Sequence, residues 1–107
     1  MIFITAKFAV KAESAEEWPE ITAEFTEATR AEPGNLFFEW SVDVDDPHVF
    51  VLVEAFQDGA GEAHVKSEHF RAAMEWMPDL VAETPRIVYA EVPGTEGWSE
   101  MAEVRPR

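Results

Sequence analysis

The 107-residue sequence contains no cysteine. A chain without thiols cannot form disulfides, thiolate metal sites, iron–sulfur clusters or cysteine nucleophiles. Long apolar runs are missing too, since no stretch approaches the roughly 18 residues that a membrane-spanning helix needs. The N-terminus also lacks a basic segment followed by an apolar one, so we expect no signal peptide and a cytoplasmic location.

Basic residues are scarce. Eight Lys and Arg face 22 Asp and Glu, for a net charge of −14. Such a charge repels phosphates and anionic headgroups, so neither nucleic acid nor a membrane is an expected partner. The surface is that of a soluble acidic protein, with adaptation to salt as an open alternative. No GxGxxG or Walker pattern is present, so we expect no nucleotide or flavin cofactor.

Apolar residues make up 47% of the chain, enough for the single core of one small domain. Apolar side chains at every even position predict a strand over residues 2–10. Ser14 and Glu17 fit a capping box, and the stripe that follows predicts a helix over 14–31. Pro19 falls awkwardly past its first turn, and Pro33-Gly34 ends the helix.

The second half of the chain repeats this alternation. Two strands, over about 36–44 and 48–56, flank the turn Asp45-Asp46-Pro47 and predict a hairpin. Gly59 and Gly61 open a second helical segment that ends or kinks near Trp76, and a last strand covers about 85–93. The order β-α-β-β-α-β predicts an α+β, ferredoxin-like fold: a four-stranded antiparallel sheet with two helices on one face.

The third strand is apolar on both faces except at Glu54. Because the helices cover only one face of the sheet, the other face would leave a large apolar surface exposed. We therefore expect a homodimer in which two sheets pack face to face and form an α/β barrel. Residues 1–93 form the domain, and residues 94–107 are a tail that we expect to pack on the partner subunit.

Two polar residues stand out as candidates for chemistry. His64 lies near the start of the second helix, and an imidazole suits proton transfer at neutral pH. A structural role, or a surface pair with Glu68, is the alternative. Glu54 interrupts an apolar strand, where it either pairs with a cation such as Lys7 or Arg86, or orients the imidazole.

The other two histidines are weaker candidates. His48 follows a turn proline and should be solvated. His69 is five residues after His64, and this spacing does not place both rings on one helical face. The sequence therefore predicts no metal site.

The remaining candidates are mostly aromatic. The chain has four Trp, eight Phe and one Tyr, and several of them could line a pocket for a flat hydrophobic ligand, although core packing is the alternative for each. The pocket residues predicted on this basis and from the helical stripe are Phe25, Phe38, Trp40, Phe56, Ser67, Phe70, Met74 and Tyr89.

Three segments carry a family resemblance. Residues 32–39 (EPGNLFFE), 53–56 (VEAF) and 63–70 (AHVKSEHF) resemble signature segments of antibiotic biosynthesis monooxygenase domains, and the likeness extends over residues 1–93. It implies a ferredoxin-like homodimer that oxidises a quinol or polycyclic aromatic phenol with O2, without metal, flavin or haem. It also implies that His64 is the general base and Glu54 its partner or a polar pocket residue.

The resemblance leaves other functions open. The haem-degrading members need an Asn, a Trp and a His where this chain has Lys7, His64 and Met74. Another branch processes a phosphorylated autoinducer without O2, and its phosphate would need a cationic pocket. The cations available for such a pocket are Lys7, Lys66, Arg71 and Arg86. A module that only binds a small hydrophobic ligand is the remaining alternative.

Overall fold

The fold is built on one antiparallel sheet, and a computed structural model describes all of residues 1–107. Its strands are β1 (Ile2–Ala9), β2 (Asn35–Val42), β3 (Val49–Phe56) and β4 (Arg86–Glu91). They lie in the order β2-β3-β1-β4 with every neighbouring pair antiparallel. The predicted four-stranded ferredoxin-like sheet is thereby confirmed.

One face of the sheet carries the core. Phe8, Phe38, Phe50 and Leu52 point to this face from the three strands that the helices cover, and all four are buried. Trp18 packs on Phe8 and Phe50 from the helical layer and is fully enclosed. Successive side chains of a strand point to opposite faces of the sheet. The apolar residues at even positions therefore lie on the face that the helices cover.

The first crossover is three short helices rather than one. They are α1 (Ala12–Ala15), α2 (Trp18–Ile21) and α3 (Ala23–Arg30), so the prediction of one helix over 14–31 was wrong in its start and its continuity. Pro19 occupies the first turn of α2, where its missing N–H needs no partner. Ser14 is buried and makes no side-chain cap, which corrects the predicted capping box.

The second crossover is also divided. It consists of α4 (Gly61–Val65) and α5 (Glu68–Trp76), followed by a 3-10 turn at Met77–Asp79. The predicted end at Trp76 is confirmed, but the single apolar stripe is not. Ser67 has extended backbone angles between the two helices, and its hydroxyl accepts the amide N–H of Phe70 as the N-cap of α5.

The opposite face of the sheet, which we call the outer face, has no helix on it. Val51 and Val53 are half-buried there, and Val88 is exposed. Within the tail, Trp98 stacks on Phe37 of its own chain with ring centroids 5.2 Å apart. Packing of the tail on a partner subunit stays a prediction. No helix combines the length and apolarity needed to span a bilayer.

Candidate functional site

His64 lies on α4 and points into the layer between helices and sheet, with only 5% of its surface exposed. Aromatic side chains from four different elements surround its ring. The centroid distances from the imidazole run from 4.8 to 6.5 Å, and the residues are Phe56, Phe70, Phe25 and Phe38. These four predicted pocket residues therefore meet at His64, in surroundings that exclude water and strengthen electrostatic interactions.

Glu32 is the polar partner of His64, and the sequence reasoning had not singled it out. Its Oε2 lies 2.7 Å from His64 Nδ1. An ionised carboxylate can only accept hydrogen bonds, so Nδ1 carries the proton in this contact. In the neutral ring the lone pair is then on Nε2, on the opposite side of the imidazole. This is the arrangement of a base held by an orienting group.

The loop after α3 brings Glu32 to the imidazole. The amide N–H of Asn35 donates to the carbonyl of Glu32, and that of Gln57 donates to the carbonyl of Gly34. A Cβ built on Gly34 would lie 2.3 Å from the Cβ of Ala60, just before α4. Only glycine permits this close approach. The EPG segment is thus a structural requirement for placing Glu32 beside α4.

Glu54 approaches the same imidazole from the sheet. It is 7% exposed, and its Oε1 lies 3.9 Å from His64 Nε2, beyond hydrogen-bond distance. Burial raises the pKa of Glu54 from 4.5 to about 7, with a smaller contribution from the nearby Glu32 carboxylate. Near neutral pH Glu54 is therefore present in both its neutral and its charged form.

The predicted cation partners of Glu54 lie elsewhere. Lys7 and Arg86 face each other across β1 and β4 on the outer face of the sheet, whereas Glu54 points to the helical face. The suggested pairing of Glu54 with either cation is therefore wrong. The alternation of β1 decides this, because Ile4 and not Lys7 lies opposite Glu54.

His69 is a second imidazole in the site, contrary to its low ranking from the sequence. Its Nε2 lies 2.6 Å from the same Glu32 Oε2. A five-residue spacing separates two rings only on a continuous helix, and here the break at Ser67 turns α5 so that both rings reach Glu32. Recognising that Ser67 and Glu68 form a helix start would have revealed this.

The three side chains are of kinds that bind divalent metals, and their ligand atoms lie within 4.8 Å of one another. Two ligands of one ion at bonds of about 2.1 Å stand about 3.0–3.4 Å apart at octahedral or tetrahedral angles. Glu32 Oε2 is closer than that to both nitrogens. The arrangement is that of a hydrogen-bonded cluster, and it would have to widen before it could coordinate an ion.

The other predicted pocket residues are spread over the molecule. Ser67 donates through its hydroxyl to the His64 carbonyl at 2.6 Å, so it supports α4 and α5. Trp40 does not contact the imidazole; it packs between Trp18 and Phe38, and its Nε1 donates to the hydroxyl of Thr26. Met74 lines a cavity of about 550 Å³ beneath α5. Tyr89 lies on the edge strand and is 54% exposed.

Comparison with known proteins agrees with this architecture. A solved structure of an antibiotic biosynthesis monooxygenase superposes with a TM-score of 0.78 at 27% identity, covering 86% of this chain and 98% of that one. A Nitrosomonas europaea protein proposed to be such an enzyme gives 0.79 at 29% identity, covering 87% and 99%.

Sequence comparison gives a compatible result. A Synechocystis protein of uncharacterised function, sll1783, is 25% identical over 96 residues. The match takes in 89% of this chain but only 65% of that protein's length. The family model described as "Antibiotic biosynthesis monooxygenase" matches residues 1–76, which include Glu32, Glu54, His64 and His69. The chain therefore belongs to the antibiotic biosynthesis monooxygenase family.

Proposed function

We propose that the protein is a cofactor-independent monooxygenase that oxidises a quinol or polycyclic aromatic phenol with O2. The observation that carries the proposal is the buried His64 imidazole, held at Nδ1 by Glu32 and therefore offering the Nε2 lone pair. Membership of the family supports the reaction type. His64 is the general base, and Glu32 orients it.

The main chemical task of the protein in this reaction is proton transfer. His64 Nε2 removes a proton from the phenol, and the electron-rich phenolate reacts with O2 at a ring carbon. The O–O bond then breaks: one oxygen atom stays on that carbon as a carbonyl, and the other leaves as water with the hydrogen lost from that carbon and the proton that His64 removed. The substrate thereby supplies all four electrons. The aromatic surroundings hold a flat ring in place and keep water from the reactive intermediate.

Glu54 fits this reaction as a second proton-handling group. Because its pKa lies near 7, a large share of Glu54 is protonated at neutral pH and can donate a proton to an oxygen of the substrate. Its position 3.9 Å from His64 Nε2 places donor and base beside one another. Groups that handle protons at neutral pH are typically tuned in this way.

We propose that the substrate enters between α5 and β4. Tyr89 lies opposite Ile4, and Ile4 lies opposite Glu54, so all three point to the same face in one row across the sheet. At two strand spacings, Tyr89 is about 10 Å from Glu54. Ile87 on β4 and Met74 on α5 are also exposed. In this proposal the substrate passes these apolar side chains on its way from solvent to the base.

The test is O2 uptake by the purified protein with quinols and dihydroxyanthracenes, in the presence of a chelator and without added cofactor. Loss of a general base lowers the rate by about 10²–10⁴-fold, so His64→Ala should fall by that factor. His48→Ala removes an exposed histidine and is the matched control. Because such compounds autoxidise, heat-denatured protein sets the background. Wild-type activity in His64→Ala, or dependence on a copurifying flavin or haem, would overturn the proposal.

A binding module without turnover is the second candidate, favoured by the burial of His64 and Glu54 beneath aromatic rings. It predicts ligand binding without O2 uptake. Processing of a phosphorylated signal has less support, because no Lys or Arg forms an ion pair with the site. Lys7 and Arg86 lie on the outer face, and Lys66 pairs with Glu62.

We also propose that two copies pair through the outer face. The supporting observation is the row of half-buried valines on the outer face of β3, Val49, Val51 and Val53, with no helix to cover it. Val53 lies at the centre of this surface, between Glu39 and Thr5. In sedimentation analysis, Val53→Lys should give monomers. An unchanged mass would contradict the pairing.

A further inference from the structure

We infer that His69 is a positioning residue that fixes the tautomer of His64 through one shared oxygen of Glu32. Only the importance of that tautomer for catalysis rests on the proposed function. Both imidazoles contact the same atom, Glu32 Oε2, at 2.7 Å for His64 Nδ1 and 2.6 Å for His69 Nε2. The shared oxygen makes the state of one ring depend on the other.

The physical reason lies in the carboxylate. The terminal torsion of a glutamate is soft, so a single hydrogen bond does not hold one of its oxygens in place. A second N–H donor on the same oxygen does. With Oε2 held against Nδ1, the alternative tautomer of His64 would turn the Nδ1 lone pair towards a carboxylate oxygen, which is repulsive. His69 thereby keeps the proton on Nδ1 and the lone pair on Nε2.

The surroundings restrain both rings. Phe25 packs on both imidazoles, with centroids 6.0 Å from His64 and 6.1 Å from His69. The Ser67 hydroxyl contacts the His64 carbonyl and caps α5, so it ties together the two helices that carry the rings. His69 is partly exposed, with 22% of its side chain accessible, whereas that of His64 is 7% accessible. His69 therefore lies on the solvent side of the cluster.

The experiment reads the tautomer directly and needs no substrate. Long-range ¹H–¹⁵N NMR at pH 8 separates Nδ1–H from Nε2–H rings, and the chain has only three histidines to assign. Hydrogen bonds to charged groups are strong enough to bias such an equilibrium by about tenfold or more. We expect wild-type His64 as the Nδ1–H tautomer and a shift towards Nε2–H in His69→Leu.

One further variant distinguishes the effect of the His69 hydrogen bond from that of its packing, and a second is the control. His69→Gln keeps an N–H donor of similar reach and should restore the wild-type His64 signals, while the exposed His48→Gln should leave them unchanged. In turnover, His69→Leu should lower kcat with KM unchanged. Wild-type His64 signals in His69→Leu, or the same shift in His69→Gln, would overturn the inference. If no substrate is turned over but the tautomer still responds, the proposed function fails and the inference stands.

Discussion

Glu54 gives the sharpest prediction, because its burial links stability to pH. Between its unfolded pKa of 4.5 and its folded pKa of about 7, the folded chain keeps a proton that the unfolded chain has lost. The contribution of Glu54 to the free energy of unfolding therefore falls as pH rises through this window. At 1.36 kcal/mol per pKa unit, the total loss is about 3 kcal/mol.

Glu54→Gln removes the titration while keeping the shape of the side chain. We expect the variant to become more stable relative to wild type as pH rises, by about 3 kcal/mol in total between pH 4 and pH 8. For a domain of this size that difference corresponds to a relative rise in Tm on the order of 10 °C. Urea unfolding at several pH values, followed by tryptophan fluorescence, measures the difference.

A matched control separates Glu54 from the other carboxylates. Glu39 lies on the neighbouring strand β2 and is exposed on the outer face, so Glu39→Gln should show no comparable pH-dependent gain. The reasoning is refuted if the Glu54→Gln difference is the same at pH 4 and pH 8. Such a result would mean that Glu54 loses its proton as easily in the folded chain as in the unfolded one, and it would also remove Glu54 as a proton donor.

Substitutions at three positions test the packing that supports the site, each by urea unfolding. Thr26→Val removes the acceptor of the Trp40 Nε1–H bond and should cost about 1–3 kcal/mol, whereas Thr26→Ser should be milder. Ser67→Ala removes the N-cap of α5 and should cost about 1 kcal/mol; an unaffected midpoint would contradict the capping role. Gly34→Ala forces a methyl group against Ala60 and should cost about 1–3 kcal/mol, and a neutral result would show that the loop can move aside.

Much of the fold could be predicted from the sequence because the side chains of a strand alternate between two faces, and this two-residue period is visible in the sequence. Alternation over β1 and β2 identified the buried face, and it placed Phe8 and Phe38 correctly. The sequence pattern could not show where a helix is interrupted. Pro19 and Ser67 each interrupt a periodic stripe, and a stripe of apolar residues continues across such a break when both pieces pack on the same sheet.

Some residues of the candidate site could be predicted from the sequence and others could not. His64 was recognised as a candidate base from its place near the start of the second helix, and Glu54 as a polar residue that interrupts an apolar strand. The structure shows that both are buried. Glu32 gave no such signal, since it is one of 22 acidic residues and lies in a loop. Its role follows only from the contact between Gly34 and Ala60, which are 26 positions apart.

The sequence by itself determined the element order, the buried faces of β1 and β2 and the family to which the chain belongs. These are properties of local periodicity and short motifs, and they need no knowledge of distant neighbours. Tertiary structure alone decided that Glu32 joins His64 to His69 and that Lys7 cannot reach Glu54. The reason is that a hydrogen bond depends on distances of a few tenths of an ångström between atoms from separate elements, and only the packing of the sheet and its loops sets those distances.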